Sequence, residues 1–134
     1  MIYELQNGKG MIKEYDQDDN LIFEGEYLNG KRNGEGKEYY YFGWGKLMFE
    51  GEYLNGEKNG NITEYYINGI KLFDGELVNG KLNGIGNEYF KNGKIKYDGE
   101  FLDGKWNGKG KEYFQNGNIK YEGKFLNGEK MKKK

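Results

Sequence analysis

Tyr97–Lys120 reads YDGEFLDGKWNGKGKEYFQNGNIK, and Phe73–Lys96 reads FDGELVNGKLNGIGNEYFKNGKIK in the same layout. Working outward, further units begin at Phe23 and Phe49, and a half unit begins at Tyr121. Unit starts at 23, 49, 73, 97 and 121 lie 26, 24, 24 and 24 residues apart. A fixed period of this length is the mark of a repeat architecture. One repeat domain therefore spans 1–134: a degenerate copy at 1–22, units at 23–48, 49–72, 73–96 and 97–120, and a half unit with a lysine tail at 121–134. In the leading copy Gly10–Tyr15 (GMIKEY) aligns with Gly34–Tyr39 (GEGKEY).

Each unit contains two strand-like stretches. Along Ile95–Leu102 the residues Ile95, Tyr97, Gly99 and Phe101 point to one face, and Lys96, Asp98 and Glu100 to the other. The second stretch runs through Gly108–Phe114. Asn-Gly or Asp-Gly separates them at 29–30, 55–56, 79–80 and 103–104, and a second set lies at 68–69, 92–93 and 116–117. Such pairs between alternating stretches signal hairpins, because both residues tolerate positive φ. The expected fold is all-β: tandem β-hairpin repeats in a single elongated, twisted antiparallel meander of about ten or eleven strands. Long turns are expected on the rim that carries Arg32 and Trp106, and short turns on the other.

The composition agrees. Ala, Pro and Ser are absent, while 24 residues are glycine, so long helices are disfavoured. Aromatics reach 17%, too many for a disordered chain, although only 35% of residues are hydrophobic. A ring such as Phe23 or Tyr97 can lie flat over a neighbouring strand only where that strand lacks a side chain. The pairs Gly34/Gly36, Gly84/Gly86 and Gly108/Gly110 supply that space, and Ile12 and Ile62 keep the position apolar where the second glycine is missing.

Units of the form Tyr/Phe-Glu/Asp-Gly-Glu-x-Leu-x-Gly…Asn-Gly-x-Gly resemble membrane occupation and recognition nexus (MORN) repeats. The 24-residue spacing with a trailing Asn-Gly-Lys-Ile-Lys is similar to the bacterial variant of the MORN-type antitoxin family, over nearly all of 3–128. The resemblance implies a strand-only scaffold that binds other proteins; some such proteins have been proposed to touch phospholipids. The variant implies an antitoxin, immunity or inhibitor role, with a toxin or nuclease as the partner.

Chemistry is constrained by what the chain lacks. Without Cys or His there are no disulfides, thiolate zinc sites or imidazole bases. Without Ser as well, few nucleophiles remain, and the repeats leave no residues over for a catalytic domain; no enzyme activity, cofactor or metal is expected. A net charge of -1 is no footprint for direct nucleic-acid binding. The start Met1-Ile-Tyr-Glu-Leu has no basic or apolar signal region, and no apolar run approaches a membrane span, so a cytoplasmic location is expected.

Several motifs imitate chemistry. Gly-x-x-x-x-Gly-Lys at 25–31, 75–81 and 99–105 lacks the following Ser or Thr of a phosphate loop and reads as a turn. Asp16-Gln-Asp18-Asp19-Asn20 resembles half a calcium loop, but its glycine and bidentate Glu positions hold Leu21 and Tyr27, so it too reads as a polar turn. Glu14, Glu38, Glu64, Glu88 and Glu112 recur before an aromatic, about 10 Å apart in a meander, too far to share a proton. They are expected to accept hydrogen bonds from backbone, Tyr or Lys.

A one-layer sheet leaves apolar surface open, which marks interaction surfaces. Tyr, Trp and Arg dominate binding hot spots, so the places where they break the repeat are the candidate partner sites. One is the two-residue expansion carrying Tyr41, Phe42 and Trp44, beside the acidic turn with Asp16, Asp18 and Asp19. The other is Trp106, with Arg32 at the matching position of an earlier unit. Either the tryptophans project toward a protein partner, or they fold back as caps over the sheet. The leading expectation is an adaptor or inhibitor that binds one protein, such as a toxin, nuclease or other effector. The alternatives are a membrane-associated scaffold on anionic phospholipid, drawing on the Lys130–Lys134 tail, or self-assembly through a sheet edge or face.

Overall fold

The computed structural model describes residues 2–6 (backbone), 8–40 and 45–131. It is all-β. Among the described residues twelve strands follow one another as β1 (Ile2–Gln6), β2 (Lys9–Tyr15), β3 (Leu21–Leu28), β4 (Lys31–Tyr39), β5 (Leu47–Leu54), β6 (Glu57–Tyr65), β7 (Lys71–Val78), β8 (Lys81–Tyr89), β9 (Ile95–Leu102), β10 (Lys105–Tyr113), β11 (Ile119–Leu126) and β12 (Glu129–Lys130). They lie side by side in chain order in one antiparallel sheet. The count passes the expected ten or eleven only because short strands close both ends.

The rims are the reverse of the expectation. On the rim beside Arg32 and Trp106 the connections are two-residue turns, and five-residue loops join β6 to β7 and β8 to β9 on the other. At the tight turns Asn29 and Gly30 have φ of 50° and 85°, the left-handed pair that matches strand twist. The loops instead hold one left-handed residue, such as Gly69, whose N–H donates to the Tyr66 carbonyl at 2.9 Å. The Asn-Gly pair that follows each tight turn by two residues (33–34, 59–60, 83–84, 107–108) makes no turn and lies within the strand. Opposite Glu26, the register between β3 and β4 slips between Gly25↔Gly36 and Tyr27↔Arg32, a bulge centred on Gly34 with φ 104°. Glu26 accepts the freed Glu35 N–H at 2.7 Å, and Glu52 and Glu100 do the same for Asn61 and Lys109. That is the physical role of the Gly-Glu pair in these three units. The asparagine before the bulge glycine ties one turn to the next: Asn33 Oδ1 accepts the Asn55 N–H at 3.0 Å, and Asn107 Oδ1 that of Asn127 at 3.1 Å.

The core is a column of rings on one face. Phe23, Phe49 and Tyr97 are fully buried, together with Tyr53, Phe101, Phe125, Ile62, Leu77 and Leu82. They pack edge to face, as Phe23 and Tyr53 do at 5.5 Å and 87°. The second glycine of each expected pair makes room for a ring, whereas the first (Gly34, Gly84, Gly108) stands at the bulge beside Glu26, Glu76 or Glu100. A Cβ on Gly36 would stand 2.8 Å from both Phe23 Cε1 and Tyr53 Cε1, and one on Gly25 2.9 Å from Phe23 Cζ. Ile62 fills the space across from Gly51.

Candidate functional site

The ring face carries a second column. Each core ring is flanked on its two neighbouring strands by glutamates: Phe23 by Glu14 and Glu38, Phe49 by Glu38 and Glu64, Phe73 by Glu64 and Glu88, Tyr97 by Glu88 and Glu112. The side chain that follows the tight turn folds back over the ring of its own unit. Arg32 lies 3.9 Å from the Phe23 centroid, with Nε 3.0 Å from Glu14 and Nη1 3.4 Å from Glu38. Lys58 lies 4.2 Å over Phe49 and 3.6 and 3.8 Å from Glu38 and Glu64. Trp106 stacks on Tyr97 at 4.4 Å and 5°, and its Nε1 donates to Glu88 at 2.9 Å. Tyrosines complete the shell: Tyr27 donates to Glu14 at 2.6 Å and Tyr53 donates to Glu38. The recurring glutamates are thus acceptors for the ring-covering layer.

The electrostatics follow from these partners. Burial works against the Glu14 carboxylate, but hydrogen bonds from Arg32 and Tyr27 outweigh it and lower its pKa. Burial also works against the charge on Arg32, which Glu14 more than restores. For Glu64 burial prevails over Lys58, with Glu38 adding to it, and its pKa is raised.

The opposite face carries alternating charged rows separated by glycine backbone. Across β2 to β7 it forms a shallow trough of about 960 Å³, floored by Gly25, Gly36, Gly51 and Gly75. Its walls present five carboxylates (Glu24, Glu35, Glu50, Glu52, Asp74) against one ammonium, that of Lys37. Tyr39, Tyr65 and Tyr89 donate to Glu24, Glu50 and Asp74 at 2.6, 2.6 and 3.0 Å. These hydroxyls are neutral and orient the carboxylates without cancelling their charge, while at the β7 end the Lys71 ammonium lies 3.6 Å from Asp74. Burial, then the accepting carboxylates, push Tyr65 and Tyr89 up to about 12. Farther along, at β9 to β11, the same face turns basic, with Lys109, Lys111 and Lys124 against Asp98 and Glu122. A line of half-exposed aliphatics, Leu54, Val78, Leu102 and Leu126, borders it beside the tight turns.

The residues nominated from sequence fall in three places. Arg32 and Trp106 lie within the ring-covering layer, two units of one structural column. Asp16, Asp18 and Asp19 form the β2–β3 loop on the opposite rim, where Asp16 Oδ1 accepts the N–H groups of Asp18 at 2.8 Å and Asn20 at 3.0 Å. Those bonds, the Asn20 backbone first, lower the Asp16 pKa. Tyr41, Phe42 and Trp44 lie outside the described residues, as does the end of the lysine tail. Among the described residues no group of three or more carboxylates is placed to hold a metal ion, and no helix is long and apolar enough to cross a membrane. Two features were missed from sequence: the acidic trough and the odd position of Glu64. The signal for the second was Leu77 and Leu82, standing in columns otherwise filled by Tyr or Phe and by Arg, Lys or Trp.

A comparison with curated proteins gives no match. The family model described as MORN repeat matches residues 23–41, 49–70, 73–95 and 97–119, well over half of the chain and in step with the four hairpin units. The ring column, the bulges and the matched units coincide, and the chain belongs to the MORN-repeat family.

Proposed function

We propose that this chain is a non-enzymatic protein-binding scaffold that holds a basic surface of one partner protein in the trough of its acidic face. The observation that carries the reading is the trough itself, five carboxylates to one ammonium over a glycine floor. Five strand spacings make it about 24 Å long, the reach of about seven extended residues. Charge of one sign along such a surface speeds encounter and selects partners of the opposite sign. The bordering aliphatics supply the apolar contact that charge alone does not.

An inhibitor or antitoxin role is the finer form of the proposal. A nuclease or similar toxin carries a basic substrate-binding surface, and a rigid acidic face that covers it would compete with the substrate. The same charge repels anionic phospholipid, which argues against the membrane reading. The test is capture from the native cytosol with the tagged protein, comparing the wild type with Glu35→Lys. Glu35 is exposed and its side chain serves no bulge or turn. One stoichiometric basic protein, held about tenfold more weakly by the variant, supports the reading. Retention that ignores Glu35→Lys, or capture of acidic proteins only, removes it. A second copy is the competing occupant, because the face is acidic at one end and basic at the other; sedimentation velocity distinguishes it.

A further inference from the structure

The third unit departs from the pattern of its neighbours on the ring face. Phe73 has glutamates on both sides, Glu64 on β6 and Glu88 on β8, as Phe23 and Phe49 have theirs. Yet the residue at the ring-covering position is Leu82, where the sister units place Arg32, Lys58 and Trp106. Leu77 likewise stands where Tyr27 and Tyr53 supply a hydroxyl. The consequence is visible in the burial. Phe23, Phe49 and Tyr97 are fully covered, whereas Phe73 remains partly exposed. Among the described residues Glu64 pairs with the ammonium of Lys58, at 3.8 Å, and Glu88 takes the Trp106 indole N–H from its far side.

We propose that Phe73, Glu64 and Glu88 form a binding station for an arginine side chain of a partner protein. The template is internal. Arg32 shows how this scaffold holds a guanidinium: flat over the unit's ring, with one carboxylate on each neighbouring strand. Leu82 is shorter than Arg32 and brings no cation to the ring, which leaves Glu64 with the Lys58 ammonium at 3.8 Å and Glu88 with the Trp106 indole N–H. A guanidinium on an aromatic face next to carboxylate gains cation–π attraction and charge-assisted hydrogen bonds together. A carboxylate with too little cationic neighbourhood has the most to gain, and the raised pKa of Glu64 agrees with that deficit. The station lies on the ring face, so it stands or falls independently of the acidic trough.

The probe is N-acetyl-arginine methylamide, titrated against the full chain while the Phe and Leu side-chain signals are followed by NMR. Saturable shifts at Phe73, Leu77 and Leu82 are expected, weaker with N-acetyl-lysine methylamide. Glu64→Gln should weaken binding about tenfold while the sheet stays folded. Leu82→Arg should abolish it by supplying the guanidinium from within; where that variant does not fold, Glu64→Gln decides. Free L-arginine serves as the second arm, because its own carboxylate would face Glu64 and Glu88. Tighter binding of free L-arginine than of the capped form would overturn the assignment to a protein side chain. Shifts spread over the molecule, equal response to both cations, or binding unchanged in Glu64→Gln would overturn the station.

Discussion

Replacing Gly36 by Ala adds one methyl group to the sheet and isolates the ring-over-backbone principle. Gly36 does not sit in the left-handed region, so alanine can adopt its backbone freely. On that ground alone the substitution should stabilise by about 0.4–1 kcal/mol, through the unfolded chain. The structure demands the opposite sign. The new Cβ would meet Phe23 Cε1 and Tyr53 Cε1 at 2.8 Å and Phe23 Cζ at 3.0 Å. Neither ring has room to retreat: Phe23 is fully buried beneath Arg32, and Tyr53 is 4% exposed. Overpacking of this kind costs about 1–3 kcal/mol, and with two rings blocked we take about 2 kcal/mol as the net loss. In a chain of 134 residues that corresponds to a fall in Tm of about 7 °C. Equilibrium urea unfolding measures it, with Phe23→Leu and the double variant completing a cycle. Phe23→Leu withdraws the outer ring atoms, so Gly36→Ala should cost under about 1 kcal/mol in that background. A stabilised Gly36→Ala, or costs additive within about 0.5 kcal/mol, would show that the rings do not depend on the bare backbone at Gly36.

Other outcomes follow from the same geometry. Glu64 has a raised pKa, so its charge opposes folding at neutral pH and the cost fades as pH falls through its folded pKa; Glu64→Gln should gain up to about 1 kcal/mol at pH 7 and nothing near pH 4 in urea midpoints. Glu14 is lowered, so the sign inverts: its contribution is present above the ordinary carboxylate range and is lost as pH drops below it, and Glu14→Gln should be destabilising at pH 7 but not in acid. Tyr65, Tyr89 and Tyr97 are held up to about 12, so absorbance at about 295 nm should show them ionising well after ordinary tyrosines near 10, with stability falling between about pH 10 and 12. Trp106→Phe keeps the stack on Tyr97 but loses the bond to Glu88, and should cost about 1 kcal/mol against about 3–5 for Trp106→Ala in thermal unfolding.

Much of the fold was legible because the repeat states it several times. The Asn29-Gly30 type of turn, the alternation along Ile95–Leu102 and the pairing of rings with glycines each follow from local chemistry. The rims were misread because Asn-Gly has two uses here. At Asn29-Gly30 it turns the chain, whereas Asn33-Gly34 is a bulge inside a strand, and only the register to Glu26 separates them. Arg32 and Trp106 drew attention as breaks in the pattern. Aligned by column with Lys58, they share one task, which is to cover a ring and reach a carboxylate. The trough was invisible for a different reason. Its walls come from residues that alternate with the core positions on six strands, and their signs add up only once those strands lie side by side.

Zero-length carbodiimide cross-linking of the captured complex, read by mass spectrometry, shows whether a partner occupies the acidic trough. Links are expected from Glu35, Glu50 and Glu52 to lysines clustered on one surface of one partner protein. Links confined to the loop rim or to the ring face, with none from these three carboxylates, would show that the partner binds elsewhere.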